Sequence, residues 1–395
     1  MKKTSFENLF DFLPKSKRQA SEGLHRGVYP FYKSSNEVTK FVDEFDYPGN
    51  CLIFGTGGSP SIHYQADKFS TSTDCIVACP KNNAEISAKY SYLYFRNNMK
   101  ILEAGFKGAG LKHISKGFIS EIKIPLPSLG DQIRIAAVLT RVEKLIAKRK
   151  DSIKALDEFL KSTFLEMFGL NNADYKKWNL EHLSSNTEIV SGVTKGKKYK
   201  DSVLREVPYM RVANVQDGHL NLTEIKTIEV TENEIQQYSL QKGDLLLTEG
   251  GDPDKLGRGA VWNNEIKECI HQNHIFRVRV KDTSINPVFL SALMASKYGK
   301  SYFLKAAKQT TGIASINSKQ LKAFPLIKTP LPLQNKFAAI VEKVESIKSK
   351  YTPNLTELEN LYGSLSQRAF KGKLDLSRVP IEPKIVGGSI KRLLK

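Results

Sequence analysis

Ile124-Pro125-Leu126-Pro127 followed by Gln132-Ile133-Arg134-Ile135-Ala136-Ala137-Val138-Leu139 returns as Thr329-Pro330-Leu331-Pro332 followed by Gln334-Asn335-Lys336-Phe337-Ala338-Ala339-Ile340-Val341. From the glutamine onward the two stretches keep one offset: Val142 matches Val344, Glu143 matches Glu345, Leu156 matches Leu358 and Phe168 matches Phe370. A helix has been duplicated. Each copy follows a longer stretch of mixed, strand-like character, so the plan is module, helix, module, helix. Such a plan suits the reader of a two-part target.

The first helix places Leu139, Val142, Ile146, Arg149, Ile153, Leu156, Leu160, Thr163 and Met167 at alternating steps of three and four, the a/d seam of a coiled coil. The second repeats it with Val341, Val344, Lys348, Tyr351, Leu355, Leu358, Tyr362, Leu365 and Ala369. A seam this narrow fits another helix better than a sheet. Antiparallel pairing of the two rods would relate the modules by an approximate two-fold axis. Pro353 falls inside the second rod, where proline removes a hydrogen bond, so a kink or a restart at Thr352-Pro353 is expected. Gly169 and Gly372 read as C-terminal stops. Each rod then spans roughly 36 residues, or about 54 Å at 1.5 Å per residue.

The chain has 395 residues with 60 Lys+Arg against 41 Asp+Glu, a formal charge of +19. The two helices hold little of this excess, so it sits on the modules and the tail. A positive field on recognition modules implies a polyanion, with duplex nucleic acid ahead of an anionic membrane because no basic amphipathic helix stands out. Met1-Lys2-Lys3-Thr4 lacks the apolar run of a secretory signal. No stretch reaches the ~20 apolar residues of a membrane span. Cys51, Cys75, Cys79 and Cys269 show no CxxC spacing, which predicts reduced, buried thiols in a cytoplasmic protein and no zinc.

The modules echo each other more faintly. Tyr47-Pro48-Gly49-Asn50-Cys51-Leu52-Ile53-Phe54 leads into Gly55-Thr56-Gly57-Gly58-Ser59-Pro60, and Gln241-Lys242-Gly243-Asp244-Leu245-Leu246-Leu247-Thr248 leads into Glu249-Gly250-Gly251-Asp252-Pro253. Both read as turn, buried strand, glycine loop. Tyr29-Pro30-Phe31 answers Val207-Pro208-Tyr209 upstream. Gly110-Leu111-Lys112-His113-Ile114-Ser115-Lys116 answers Gly312-Ile313-Ala314-Ser315-Ile316-Asn317-Ser318 downstream, at the offset of the helices.

With the repeated Pro-Leu-Pro, the glutamine and the Ala-Ala helix in view, the chain resembles the specificity subunit of a type I restriction-modification system over essentially its whole length. The resemblance implies two target-recognition domains, each reading one half of a bipartite DNA site, held by two long helices in an antiparallel coiled coil. It implies a subunit without chemistry of its own. Its implied partners are double-stranded DNA, two methyltransferase subunits docked through the helices and adjacent surfaces, and restriction-translocase subunits that join that core. The expected fold is α/β, with target-recognition domains at 1–127 and 171–328, spacer helices at 128–170 and 329–374, a basic tail at 375–395, and a pseudo-two-fold arrangement. The coiled-coil positions are Leu139, Val142, Ile146, Ile153, Leu156, Leu160, Val341, Val344, Leu355, Leu358, Tyr362 and Leu365. The half-sites should differ, because the modules are not close copies.

The residues agree with a non-catalytic role. Asn286-Pro287-Val288-Phe289 lacks the second proline of an adenine-methyltransferase box and reads as a helix cap followed by proline. Phe54-Gly55-Thr56-Gly57-Gly58 is not followed by the helix and acidic strand end of a dinucleotide site. There is no GxxxxGK[ST] loop for ATP. His271-Gln272-Asn273-His274 lacks a nearby Cys/Asp/Glu set, so its members are read as base or phosphate ligands rather than metal ligands. No cofactor, metal or catalytic residue is expected. The DNA-binding candidates of the first module are Lys33, Ser34, Ser35, Gly57, Gly58, Thr71, Ser72, Thr73, Lys112 and His113. Those of the second are Lys195, Lys197, Lys198, Arg211, Asn214, Gly251, Arg258, Gln272, Asn273, Thr310, Thr311 and Ser315. All are polar, cationic or glycine positions in loops or strand ends, suited to phosphates and base edges. A stand-alone DNA methyltransferase lacks its cofactor motif here, and a scaffold that reads no DNA leaves the module charge unexplained.

Overall fold

A computed structural model describes residues 1–200, 202–252, 256–281, 283–310 and 313–380. The chain divides into two compact units, one made of residues 1–151 with the chain from Pro353 onward, the other of Ser152–Thr352. The division runs through both rods, so each unit holds one module, half of one rod and half of the other.

The first unit contains β1 (Lys3–Ser5), β2 (Phe10–Phe12), β3 (Tyr29–Tyr32), β4 (Lys40–Val42), β5 (Cys51–Gly55), β6 (Ser61–Gln65), β7 (Ser70–Thr71), β8 (Cys75–Pro80) and β9 (Lys123–Pro125). They form a four-stranded sheet in the order β2-β8-β5-β6, a three-stranded sheet β4-β3-β7 and the pair β1-β9. The second unit contains β10 (Asn179–His182), β11 (Thr187–Ser191), β12 (Arg205–Met210), β13 (Lys226–Val230), β14 (Leu245–Thr248), β15 (Gly250–Gly251), β16 (Gly259–Val261), β17 (Ile270–His271), β18 (Ile275–Val280), β19 (Lys308–Thr310), β20 (Ile313–Ser315) and β21 (Pro325–Lys328). Its sheets β11-β18-β14-β16, β13-β12-β17 and β10-β21 repeat those of the first unit strand for strand, and β15-β20-β19 is added. Even the parallel pairing of β3 with β7 recurs as β12 with β17. The inner strands β5 and β14 are buried at every position. A strand covered on both faces reads as a continuous apolar run, as Leu52-Ile53-Phe54 and Leu245-Leu246-Leu247 do.

The expectation of four reduced cysteines is corrected here. Register pairs Leu52 with Ala78 across β5 and β8, which sets Cys51 opposite Cys79. Their Cα atoms are 4.3 Å apart and their sulfurs are bonded. Twenty-eight residues of separation gave no motif, because the pairing is a property of strand register. Cys75 and Cys269 are free and buried, and burial pushes both thiols up to about 12.

The rods are helices Leu129–Phe168 and Leu331–Phe370. All eighteen seam positions quoted above are buried or half-buried. The helices run antiparallel in both units. In the first, Tyr362 donates its hydroxyl to Glu143 at 2.7 Å and the Lys150 ammonium meets Glu359 at 2.7 Å. In the second, Lys348 meets Asp157 at 2.8 Å and the Phe337 ring packs on Phe164 and Phe168. The second rod does not restart at Pro353, which lies inside one unbroken helix. The two expected stops differ. Gly372 turns left-handed at φ 69°, and Lys373 N closes back on Arg368 O, the hydrogen bond that caps a helix with glycine. Gly169 N instead continues the ladder to Leu165 O. Beyond the second rod, Leu374 and Leu376 pack on the first unit's core and Val379 O accepts from Arg134 Nε. Residues 381–395 of the tail lie outside the described residues.

Each rod is gripped at its start by a fully buried glutamine. Gln132 accepts from Ser87 N at 2.8 Å and donates to Glu85 O and Pro127 O at 2.9 and 3.0 Å. Gln334 accepts from Asn286 N at 2.8 Å and donates to Ser284 O and Thr329 O at 3.0 and 2.8 Å. Ser87 and Asn286 are themselves the caps of module helices Ala88–Arg96 and Pro287–Ala295. One amide therefore joins three pieces of backbone in each unit. Replacing Gln132 or Gln334 by leucine takes the partner from three buried or part-buried backbone groups, and thermal or denaturant unfolding is expected to show a loss of about 2–4 kcal/mol from either change. A loss below ~1 kcal/mol for both variants would show that the grip carries little weight.

Candidate nucleic-acid interface

In each unit four segments converge at one end of the central strands: the end of β3 or β12, the turn entering β8 or β18, the glycine loop after β5 or β14, and the loop before a short helix. Equivalent hydrogen bonds hold them. Thr56 N donates to Asp74 O at 2.9 Å, and Glu249 N to His274 O at 3.0 Å. Ile114 N donates to Thr56 O, and Ile316 N to Glu249 O. Ser72 N donates to Tyr32 O, and Gln272 N to Met210 O. Ser115 and Asn317 then cap the short helices Lys116–Glu121 and Ser318–Lys322. This backbone frame makes Thr56 equivalent to Glu249, Asp74 to His274, Ser72 to Gln272 and His113 to Ser315.

Within the first frame Ser34, Gly57, Gly58, Lys112 and His113 come together. Ser34 Oγ donates to Gly57 O at 2.6 Å and accepts from Gly57 N at 3.0 Å. Gly57 bridges to His113, and Gly58 N donates to Lys112 O. Gly58 sits at φ 79° with open space around it, a conformation that a side chain would strain. Ser35 O holds the ring of His63 at 2.7 Å, and burial lowers that imidazole's proton affinity. Lys33 and Thr73 are half-buried, whereas Thr71 and Ser72 are fully buried beneath the loops.

In the second unit Gln272 and Asn273 occupy the turn equivalent to Ser72 and Thr73. Gly251 and Ser315 belong to β15 and β20, which pair at Gly250 and Ser315. Lys195 and Lys198 are exposed, while Lys197 is tied to Glu234 at 2.7 Å. Burial works against the Glu234 carboxylate, but Lys197, the Thr231 amide and the Tyr199 hydroxyl outweigh it and hold the acid down to about 2. Arg211 spans to Glu224 at 3.2 Å, and Arg258 donates to Gln216 at 3.1 Å. Asn214 is buried and turned inward, accepting from Arg211 N and donating to Asn221 O and Glu224 O. Thr310 ends β19, and Thr311 lies outside the described residues.

Several residues of weight were not chosen from sequence. Glu249 accepts His274 Nδ1 at 2.7 Å beside the glycine loop, and the start of that loop was the signal that could have found it. Arg277 is buried, donating to Gln237 O, Ser239 O and Glu188. Arg279 grips buried Asp244 through two 2.7 Å hydrogen bonds. His271, read in sequence as a base or phosphate ligand, is corrected to a core residue. It has no exposed surface, and its ring nitrogens face Tyr238 O and Val190 O. Among the described residues no group of three or more His, Cys, Asp or Glu could hold a metal ion, and no helix is long and apolar enough to cross a membrane.

A family model described as the type I restriction modification DNA specificity domain matches residues 3–155 and 176–359. The chain is 24% identical over 313 residues to the EcoKI specificity subunit of Escherichia coli, covering 74% of this chain and 66% of that one. It is 25% identical over 375 residues to the MjaVIII specificity subunit of Methanocaldococcus jannaschii, covering 89% and 85%. Among solved structures, the type I restriction-modification S subunit of M. genitalium superposes with a TM-score of 0.63 at 17% identity, over 93% of this chain and 96% of that one. A chain from a study of type I R-M complex assembly superposes at 0.53 with 16% identity, over 94% and 98%.

Burial pushes the His271 imidazole down to about 4 from 6.5. The unfolded chain therefore binds a proton that the folded chain refuses, and stability falls as pH drops from 6.5 through about 4, by up to about 3 kcal/mol. Denaturant midpoints at pH 7 and pH 5 are expected to differ in the wild type and to draw closer in His271→Gln. Equal differences in both proteins would remove His271 as the cause.

Proposed function

The chain belongs to the type I restriction modification DNA specificity family, and on that premise we propose that it reads an asymmetric bipartite DNA site and positions methyltransferase and restriction subunits on it. The reading modules are residues 1–127 and 171–328, and the rods at 128–170 and 329–374 set the spacer between the half-sites. The observation that carries this reading is one backbone frame dressed with two sets of side chains. Thr56, Asp74 and His113 stand in the first frame where Glu249, His274 and Ser315 stand in the second, and half-buried Gln272 takes the place of a fully buried Ser72. Equal frames present loops to the same kind of ligand. Unequal side chains select different bases, since amide and carboxylate groups match different donor and acceptor patterns in the major groove. Lysines such as Lys33, Lys112, Lys195 and Lys198 supply sequence-independent attraction to phosphates.

Binding-site selection with the full chain and its methyltransferase partner tests this. Wild type is expected to enrich two different half-sites at a fixed spacing. Gln272→Ala with Asn273→Ala is expected to relax one of them by roughly 1 to 3 kcal/mol per lost bidentate pair, leaving the other intact. Selection that returns no motif from wild type, despite salt-sensitive binding, would reject sequence reading.

The rods supply a docking reading for two copies of one partner. Leu145, Phe159, Ile347 and Leu361 are 40% to 50% exposed, and each directly precedes an a position of the seam. They therefore occupy g positions, and antiparallel pairing turns the g edge of one rod toward that of the other. In the first unit Leu145 and Leu361 lie at the level bracketed by the Glu143–Tyr362 and Lys150–Glu359 contacts. In the second, Phe159 and Ile347 flank Asp157–Lys348. Each unit thus offers one apolar pair, fitting one methyltransferase subunit. Leu145→Asp with Leu361→Asp is expected to lower the native mass of the co-expressed complex by one methyltransferase without changing the melting of the isolated chain. Retention of two would sink this assignment.

A further inference from the structure

Resting on the reading of these loops as a DNA interface, we propose that Leu111 is a wedge that enters the base stack of the half-site read by the first unit. Leu111 is 75% exposed, a large apolar side chain held in water. Single exposed leucines are ordinary. This one stands on a tip that is fixed in place. Lys107 N donates to His113 O and His113 N to Lys107 O, both at 3.0 Å, closing the neck of the loop. Gly58 N donates to Lys112 O at 3.3 Å and Gly57 bridges to His113, bracing the loop from the side. The tip that projects is Gly108-Ala109-Gly110-Leu111-Lys112.

The surroundings decide what the leucine meets. Lys112 and His113 follow it and are exposed, so the tip approaches polyanions. A phosphodiester backbone offers nothing apolar, so a leucine carried next to a phosphate-seeking lysine finds apolar surface at base faces and edges. No atom lies within 4 Å of the space a side chain on Gly110 would fill, leaving room for the duplex wall beside the leucine. Leucine is among the side chains that part base steps when driven into a groove, exchanging lost stacking for a bend that brings more protein surface into contact. Because the loop is already closed, its ordering adds little to the cost of binding.

The test uses the full chain with its methyltransferase partner and duplexes carrying 2-aminopurine at successive positions through the first unit's half-site. Wild type is expected to give a fluorescence rise at one step, kept by Leu111→Met and lost by Leu111→Ala, with base preference elsewhere in the half-site unchanged. An undiminished rise with Leu111→Ala, or no Leu111-dependent rise in a specifically bound duplex, overturns the wedge while leaving DNA reading intact. Weaker capture of the methyltransferase by Leu111→Ala without DNA assigns the leucine to a protein contact and also overturns it. Failure of DNA reading itself has a different signature, the absence of any sequence preference in wild type.

Discussion

A buried amide at the first turn of each rod fixes how helix and module meet. Gln132 and Gln334 each satisfy one backbone N–H and two backbone carbonyls with no exposed surface. A primary amide suits this place because it donates twice and accepts. A carboxylate could not donate, and an aliphatic side chain would strand all three groups. Everything downstream follows from that alignment: the direction of the rod, the seam it offers, and the position of the module's loops relative to its own half-rods.

The frame tolerates different interiors. The first unit packs Phe6, Phe10, Phe54 and Phe95 in stacked and edge contacts around β5 and ties β5 to β8 through Cys51 and Cys79. The second buries Trp262, a neutral His271, Arg277 and Asp244, the last gripped by half-buried Arg279. Arg277 also takes the last carbonyls of helix Glu232–Tyr238 and its linker, Gln237 O and Ser239 O, which would otherwise be short of donors. The loops converge through the same backbone hydrogen bonds in both units although the cores beneath them share little chemistry.

The rods were legible because their pattern is local. Steps of three and four set the seam residue by residue, and the Gln-to-Phe offset exposed the duplication. The modules were only partly legible. Gly110 to Lys116 and Gly312 to Ser318 could be matched by eye, and Ile114 and Ile316 indeed make the same hydrogen bond. Strand pairing could not be read, since β3 meets β7 and β12 meets β17 in parallel across about forty to sixty residues, a distance over which side-chain periodicity says nothing. The same cause hid the Cys51–Cys79 bond, and it made His271 look like a surface ligand when a two-residue strand carries it inside. Pro353 allowed a restart in the sequence, and there the structure differs: packing along the seam holds one helix through it.

The hydrogen bonds of the two glutamine side chains go to backbone atoms, at Ser87, Glu85 and Pro127 in one unit and at Asn286, Ser284 and Thr329 in the other. Such a coupling is indifferent to which amino acids surround it. The side chains of a module can therefore diverge, as these two have, without loosening its attachment to the rod.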